Sequence, residues 1–451
     1  MTMTELERAY AALSGKSGTY TTLWNYFHNQ APLTYTNERL REVFRNLNAR
    51  FTENWCAVVV DATADRINLS GCQVDGARQP TLDALWDAND MAVVADDAHE
   101  AALICGEAFV IVWPNAGGQV RAYYNDPLLC HVFYDADDPY MVTMAAKWYN
   151  TADGRRRLVL YYPDRLDYYI SSGKAENVSS ATAFQPDTPP SERNPFGEVP
   201  VFHLRTRHDI RSELENVTSL QDGINKLLAD MMVSAEYGAF KQRWIISGSD
   251  NIAPLKNAPN EIWALPAGDG VGQQTQVGEF SATDLKVYLE AIDKLVLAIG
   301  IITRTPRHYF FAQGGDPSGE ALIAMESPLV KKCSDYIVRF RTTWRNVAAF
   351  MLKLSGQTVD PMTITPQFEN PQTIQPRTQA DIRKLGVDAG LPLVTALRRE
   401  GWTDAEIMQM EADRDADSAR QQATLASALV DAQRRMDQGE QAEGVNATPA
   451  A

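Results

Sequence analysis

The chain of 451 residues lacks most of the patterns that mark a secreted scaffold, a membrane protein or a common enzyme. Its five cysteines, Cys56, Cys72, Cys105, Cys130 and Cys333, are odd in number and widely spaced, and no CxxC pair occurs. That argues against a disulfide framework or a zinc site and predicts reduced, mostly buried thiols. The longest strongly apolar run, Leu295 to Ile302, is far too short to span a bilayer, so no membrane partner is expected. The opening MTMTELERAY is polar and acidic without a signal-peptide pattern, which predicts synthesis and assembly inside a cell. Positive charge is also short: 42 Lys and Arg stand against 58 Asp and Glu, a net charge of −16. Tight DNA binding through clustered phosphate neutralisation is therefore disfavoured, whereas a weak, sliding contact is not. A surface that repels phosphate holds no duplex in place, which suits a duplex that must move.

Catalytic signatures are missing too. The only Gly-Lys-Ser is Gly15, Lys16 and Ser17, and Tyr10 stands where a phosphate loop needs its first glycine. The glycine-rich QGGDPSG, Gln313 to Gly319, opens a helical pattern, but the next lysines, Lys331 and Lys332, come about three turns later. It reads as a hinge loop followed by a helix cap at Ser318. The six histidines are dispersed, with no HExxH, and the pairs His99 with Glu100 and His203 with His208 carry no metal-ligand logic. No GxSxG elbow occurs, the carboxylates look scattered along solvated faces, and Asp413, Asp415 and Asp417 lack the rest of a calcium loop. The reading is not an enzyme, with no catalytic residue, no metal and no cofactor.

What is present is helical periodicity. Val217, Leu220, Ile224, Leu227 and Met231 recur at steps of three and four and predict a helix within Glu213 to Phe240. Leu285, Tyr288, Ile292, Leu295, Ile299 and Ile302 do the same for Asp284 to Ile302. A third stripe, Leu322, Met325, Leu329, Tyr336, Phe340, Val347, Met351 and Leu354, predicts a helix from Ser318 to about Leu354, roughly 55 Å long. Pro328 should kink or locally break it. Lys331, Lys332, Arg339, Arg341 and Arg345 make it locally basic, for contact with DNA or for ion pairing in an oligomer. Between the first two helices, RWIISG, EIWALP and QQTQVGEF predict a small β insert.

The first two hundred residues read as an α+β domain, with helices first and then an antiparallel meander. Thr4 to Leu13 and Asn37 to Phe51 look helical, Asn54 to Ala64 is helix or strand, and Asp65 to Cys72 is a strand with a glycine turn. Thr81 to Asn89 and Met91 to Cys105 are helices, and EAFVIVW, Glu107 to Trp113, is a strong strand. Short strands follow at Val120 to Tyr124, Cys130 to Tyr134, Val142 to Tyr149, Arg156 to Tyr162 and Arg165 to Ile170. Ser171 to Glu198 reads as a surface loop. After Gly356 the chain is extended or strand-like up to Pro376. Thr378 to Gly390, Leu391 to Glu400 and Thr403 to Gln438 are helical, the last with Thr403 and Glu406 as a capping box. Gly439 to Ala451 has the composition of a disordered tail.

Four stretches sharpen this order into a resemblance: NARFTENWCAVVVDATADRINLSG (48–71), ELENVTSLQDGINKLLADMM (213–232), TPRHYFFAQGGDPSGEALIAMESPLVKK (305–332) and TQADIRKLGVDAGLPLVTALRREGWTDAEIMQMEADR (378–414). Over nearly its whole length the chain resembles the portal proteins, the head-to-tail connectors, of tailed bacteriophages, of the siphovirus type. The resemblance implies an α+β portal fold: a wing at 1–212, stem helices at 213–240 and 284–303, a β-rich clip at 241–283 and a tunnel loop at 304–319. It further implies a long kinked wing helix at 318–355, an extended connector at 356–377, crown helices at 378–438 and a tail at 439–451. It implies a homo-oligomeric ring, normally a dodecamer, at one capsid vertex of the virion, assembled in the host cytoplasm. That ring would conduct double-stranded DNA during packaging and ejection. Its partners would be the terminase large subunit, then the head-tail adaptor, with the major capsid protein and scaffold around it.

The same resemblance implies that Tyr309, Phe310, Phe311, Ala312, Gln313, Gly314, Gly315 and Asp316 line the tunnel. No Lys or Arg lies between Tyr309 and Gly319, and Gly314 and Gly315 give the loop freedom. Lys331, Lys332 and Arg339 would contact DNA or a neighbouring subunit, and Trp263, Gln273, Gln274 and Gln276 in the clip would dock terminase and adaptor. Two other readings stay open at this point: a minor capsid-associated structural protein, and a nucleotide-using enzyme with QGGDPSG as its phosphate loop.

Overall fold

The computed structural model describes residues 3–32, 52–239, 243–246, 276–279, 284–311, 319–372, 376–400, 402 and 404–444. Among the described residues α-helices and antiparallel sheets both occur, as in an α+β protein. It divides into two compact units, Met1–Gln372 and Thr373–Ala451.

The first unit is layered. Helix α1 (Glu5–Phe27) starts on a complete Thr4/Glu7 capping box. It extends well past the predicted Leu13, because Gly15 and Gly18 face open space while Tyr20 and Leu23 are buried farther along. Helix α2 (Trp55–Ala64) resolves the helix-or-strand choice in favour of helix, capped by Asn54. Strand β1 (Leu69–Val74), helix α3 (Pro80–Ala88) and helix α4 (Met91–Cys105) follow. Next come β2 (Glu107–Pro114), β3 (Val120–Asn125), β4 (Cys130–Tyr134), β5 (Val142–Asn150), β6 (Arg155–Tyr161), β7 (Arg165–Lys174), β8 (Phe184–Arg193) and β9 (Val201–Arg205). Strands β4 to β8 form an antiparallel meander, and β3-β2-β9 form a second antiparallel sheet.

The period of two in these strands builds three packed zones. Phe109 and Ile111 of β2 meet Cys130, Ala145, Val159 and Tyr161 of the meander. The opposite faces of β5 and β6, with Met144, Ala146, Trp148, Leu158 and Leu160, meet Ala9 and Leu13 of α1. The other face of β2, with Ala108, Val110 and Val112, meets the helices. That EAFVIVW is apolar without alternation follows from its burial on both faces.

Helix α5 (Thr218–Ala239), helix α6 (Lys286–Thr303) and the long α7 (Gly319–Leu354) supply the rest of the core. Ser234 of α5 bonds Tyr288 of α6 at 3.0 Å. Gly223 of α5 lets Leu295 of α6 approach, at 3.4 Å from where its Cβ would stand. The two pairings run in opposite sequence directions, so the helices are antiparallel. Strands β10 (Arg243–Ile246) and β11 (Gln276–Glu279) pair as a two-stranded antiparallel ribbon between α5 and α6 in the chain. In α7, Leu329, Tyr336, Phe340, Val347 and Met351 are buried as their spacing predicts, and Trp344 is fully buried among them.

Several expectations are corrected. Ser171 to Glu198 is not a loop: it holds the end of β7 and the ten-residue β8. β8 is an edge strand paired only to β7, the position where prolines such as Pro189 and Pro190 are tolerated in a sheet. α5 starts at Thr218, because Glu213 to Val217 form turns bolted to α4. α7 is one helix through Pro328, which lies on an exposed turn where water reaches the carbonyl its missing N–H leaves free. The segment after Gly356 supplies β12 (Ile364–Phe368), which pairs with β1 and returns the chain to the first unit. Asn37 to Phe51, EIWALP and the Ser318 cap lie outside the described residues.

In the second unit, helices α8 (Pro376–Asp388), α9 (Leu393–Arg399) and α10 (Asp404–Gly444) bury Ala396, Leu397 and Ile407, and Arg383 pairs with Glu400 at 2.8 Å. α10 continues to Gly444, into the predicted tail, because Gln and Glu there propagate a helix well. Thr403 lies outside the described residues.

Candidate functional site

The glycine-rich segment is framed by a built base. α6 ends on Arg304 in the left-handed conformation at φ 58°, and Thr305 N–H returns to the Gly300 carbonyl at 2.9 Å. The chain then makes a single tight turn, Arg307–Tyr309, and buries Phe310 against Trp55, with ring centroids 5.4 Å apart. Gly300 is needed there: a Cβ would stand 3.1 Å from both the Phe310 ring and the Thr305 carbonyl. Arg66, beside α2, ties the two sides of the segment together. Its guanidinium donates to the Tyr309 hydroxyl at 2.8 Å and to the Pro371 carbonyl at 2.7 Å, and pairs with Glu326 of α7 at 3.1 Å. His308 Nε2 lies 3.4 Å from the same carboxylate.

This corrects part of the expected tunnel set. Phe310 is a core residue that the single chain does not present to solvent, whereas Tyr309 is half-buried with its hydroxyl held by Arg66. Phe311 is half-buried, with Arg307 5.2 Å from its ring centroid. Ala312, Gln313, Gly314, Gly315 and Asp316 lie outside the described residues. The periodicity could not separate anchors from exposed positions, because TPRHYFF falls between two helices.

The basic residues of α7 also divide. Lys332 is buried in an ion pair with Glu213 at 2.9 Å and donates to the Thr303 carbonyl at 2.8 Å. Tyr336 donates to the other Glu213 oxygen. Lys332 is thus a brace between α7, the end of α6 and the turn before α5, and is not free for DNA. Lys331 is exposed and pairs with Asp335 at 2.7 Å, whereas Arg339 is exposed beside a polar cavity of about 180 Å³.

In the ribbon, the Trp244 indole lies over its cross-strand partner Gly278, where a Cβ would stand 2.4 Å from the ring. An aromatic ring covering a strand glycine pins the register of a short pair. Gln276 is exposed on β11, and Trp263, Gln273 and Gln274 lie outside the described residues.

The reading of all carboxylates as solvated missed Glu107. This residue opens β2 with its side chain 1% exposed. Lys16 and the Tyr20 hydroxyl each donate to Oε1 at 2.8 Å, and Oε2 lies 2.8 Å from His203 Nε2. Tyr134 meets His203 Nδ1 at 2.9 Å. Burial alone would raise the Glu107 carboxyl, but the His203 hydrogen bond and the Lys16 charge outweigh it and hold the group well below the usual range. Burial lowers His203. Glu107 takes both donors on Oε1 and faces His203 through Oε2, so the set pins α1, β2, β4 and β9 together. Lys16, the only lysine in a Gly-Lys-Ser, is spent here inside a helix and not in a phosphate loop.

All five cysteines are buried and free. Burial pushes the Cys56, Cys72 and Cys130 thiols up to about 12 and Cys333 to about 11, which suits inert packing. Among the described residues no cluster of three or more metal-ligating side chains occurs, and no helix is long and apolar enough to cross a membrane.

A layered α+β body, an antiparallel pair of helices with a β ribbon between them in the chain, a clamped loop base and one long helix make up the first unit. The chain matches the family model described as "Phage portal protein, SPP1 Gp6-like" over residues 5–420, and it belongs to that family of portal proteins. Its fold is the α+β portal fold and its role that of a portal connector. No individually curated protein matches it. Among solved structures, a chain in the neck of an empty GTA particle computed with C6 symmetry is 14% identical, with a TM-score of 0.49, covering 88% of this chain and 98% of that one. A chain in the virion of a native gene transfer agent particle is 14% identical with a TM-score of 0.46, covering 85% and 94%. A third, in the neck of a native GTA particle computed with C12 symmetry, is 13% identical with a TM-score of 0.45 and the same coverage.

Proposed function

We propose that the chain acts as a ring of identical subunits, a dodecamer by family expectation, at one capsid vertex of the virion. Double-stranded DNA passes through its axis on packaging and again on ejection. The wing corresponds to 1–212, the stem to α5 and α6, the clip to 241–283, the tunnel loop to 304–319 and the crown to 378–438. The clip, with Gln276 on its ribbon, docks the terminase large subunit and later the head-tail adaptor, and the major capsid protein and scaffold surround the ring.

The observation that carries the ring is a set of large apolar side chains left exposed on α6. Ile292, Val296 and Ile299 are buried, yet Val287, Leu297 and Ile301 are 64%, 41% and 71% exposed on the other side. At 100° per residue these two sets fall on opposite faces of the helix. The exposed three stand among Lys286, Glu290, Asp293 and Lys294, a mixed half of the helix that the single chain leaves uncovered. Neighbouring copies covering the second half would give a closed ring. A structural strut is also what α7 supplies, at roughly 54 Å for 36 residues.

Class averages from negative-stain electron microscopy down the symmetry axis test this reading. A ring with an axial hole of about 20 Å or more, wide enough for B-DNA, supports it. A closed compact oligomer without a hole overturns it. Ile301→Asp should abolish rings and leave a folded monomer. In assembled particles, Gly314→Pro with Gly315→Pro should impair DNA packaging or retention while rings still form.

A further inference from the structure

The cavity beside Arg339 has a charge balance unlike the rest of the chain. It is lined by Arg207, Arg211, Arg304, Lys332 and Arg339, against only Glu213 and Asp335. The two carboxylates are already engaged: Glu213 with Lys332 and Tyr336, and Asp335 with Lys331. Arg211 pairs with Glu215. Among the described residues no carboxylate lies within ion-pair range of Arg207, Arg304 or Arg339. Three guanidinium groups without an acidic partner thus converge on one polar cavity, in a chain of net charge −16.

The convergence is built. Arg207 sits on the 206–212 turn, which is locked to the end of α4. Gly106 there has φ 90°, and the Thr206 hydroxyl bonds the Gly106 and Arg211 carbonyls at 3.0 and 2.7 Å. Arg304 is the left-handed cap of α6, and the Thr305 return to Gly300 fixes it. Arg339 lies two turns beyond Lys332 on α7 and lines the cavity beside the buried Tyr336. Three elements therefore each aim one arginine at the same space. Clustered like charges repel and are normally avoided unless an anion joins them.

We propose that this cavity is an oxyanion site whose ligand is a phosphate group, taken in by Arg207, Arg304 and Arg339. Its size suits an ion of that kind and not a nucleotide, and guanidinium forks match tetrahedral oxygens. The phosphate is either free or part of a nucleic-acid backbone, and the site stands whether or not the chain works in a ring.

The test is calorimetric titration of the full chain with inorganic phosphate at constant ionic strength, beside Arg339→Gln, Arg207→Gln and, as a control outside the cavity, Arg155→Gln. Saturable binding is expected in the unaltered chain and in Arg155→Gln, and about tenfold or weaker binding in Arg339→Gln and Arg207→Gln. Thermal unfolding in phosphate-free buffer checks that each variant is folded. If one variant is not, the other carries the result. Absence of saturable heat, or equal isotherms in all four proteins, overturns the site. So does normal phosphate binding with lost self-assembly in the Arg207 and Arg339 variants, which would assign those arginines to a carboxylate of a second copy. A short DNA duplex is the second arm. Competition with phosphate, lost in the same variants, identifies the nucleic-acid backbone as the source, and no competition identifies the free ion.

Discussion

Trp344, in the middle of α7, donates its indole N–H to Nε2 of His99 in α4 across 2.8 Å. His99 is stacked between this bond and the Phe340 ring at 5.0 Å and is 1% exposed. The long strut is thereby keyed to the helix that backs the central sheet by a buried polar contact.

That bond requires a neutral His99 acceptor, and burial lowers its pKa from 6.5 to about 3. The unfolded chain then binds a proton between pH 6.5 and 3 that the folded chain refuses. Stability from this group is fully present above pH 6.5 and is lost as pH falls, by up to about 1.4 kcal/mol per pH unit. Burial acts in the same direction on His131, lowered to about 4, and on His203. Urea unfolding from pH 7 to 5 should show falling stability, and His99→Phe should flatten that slope. An unchanged slope in the variant would remove His99 as a cause.

Glu107→Gln should destabilise the chain by about 3–5 kcal/mol, because it leaves Lys16 largely buried without its counter-charge. Pairing it with Lys16→Met should recover much of that loss. Urea midpoints of the two single variants and the double variant check the coupling. Simple additivity would contradict the pin.

Gly106→Ala combines a left-handed φ of 90° with a Cβ only 2.8 Å from the Arg211 backbone nitrogen. A loss of about 2–4 kcal/mol is expected, measured as a shift of the thermal or urea midpoint. Gly118→Ala provides the comparison, since its φ of 76° is similar but open space surrounds it. Its loss should be smaller by the cost of the clash.

Arg66→Ala removes the clamp on both sides of the glycine-rich segment. It leaves Glu326, whose side chain is 13% exposed, without its guanidinium partner. A loss of about 2–4 kcal/mol is expected. In assembled particles, rings should form while DNA retention falls. Normal retention would separate the clamp from the proposed tunnel function.

Whole stretches of the sequence carry the family resemblance, and its local patterns carry the α+β class and the order of nearly all the elements. The class and the order rest on periods of two and 3.6 and on Gly and Pro punctuation, which are local. Met91–Cys105 and Cys130–Tyr134 were legible to the residue for that reason. What only the tertiary structure decided is which polar side chains meet. Glu107 and His203 are 96 positions apart in sequence yet adjacent in paired strands, and Arg66 reaches Tyr309 and Glu326 over still longer separations. No local pattern encodes such meetings, because they depend on how layers pack. The same limit put Phe310 and Lys332 on the wrong side of the boundary between surface and core. A Phe or Lys near a helix end has no fixed exposure until Gly300 opens space for one and Glu213 is carried to the other.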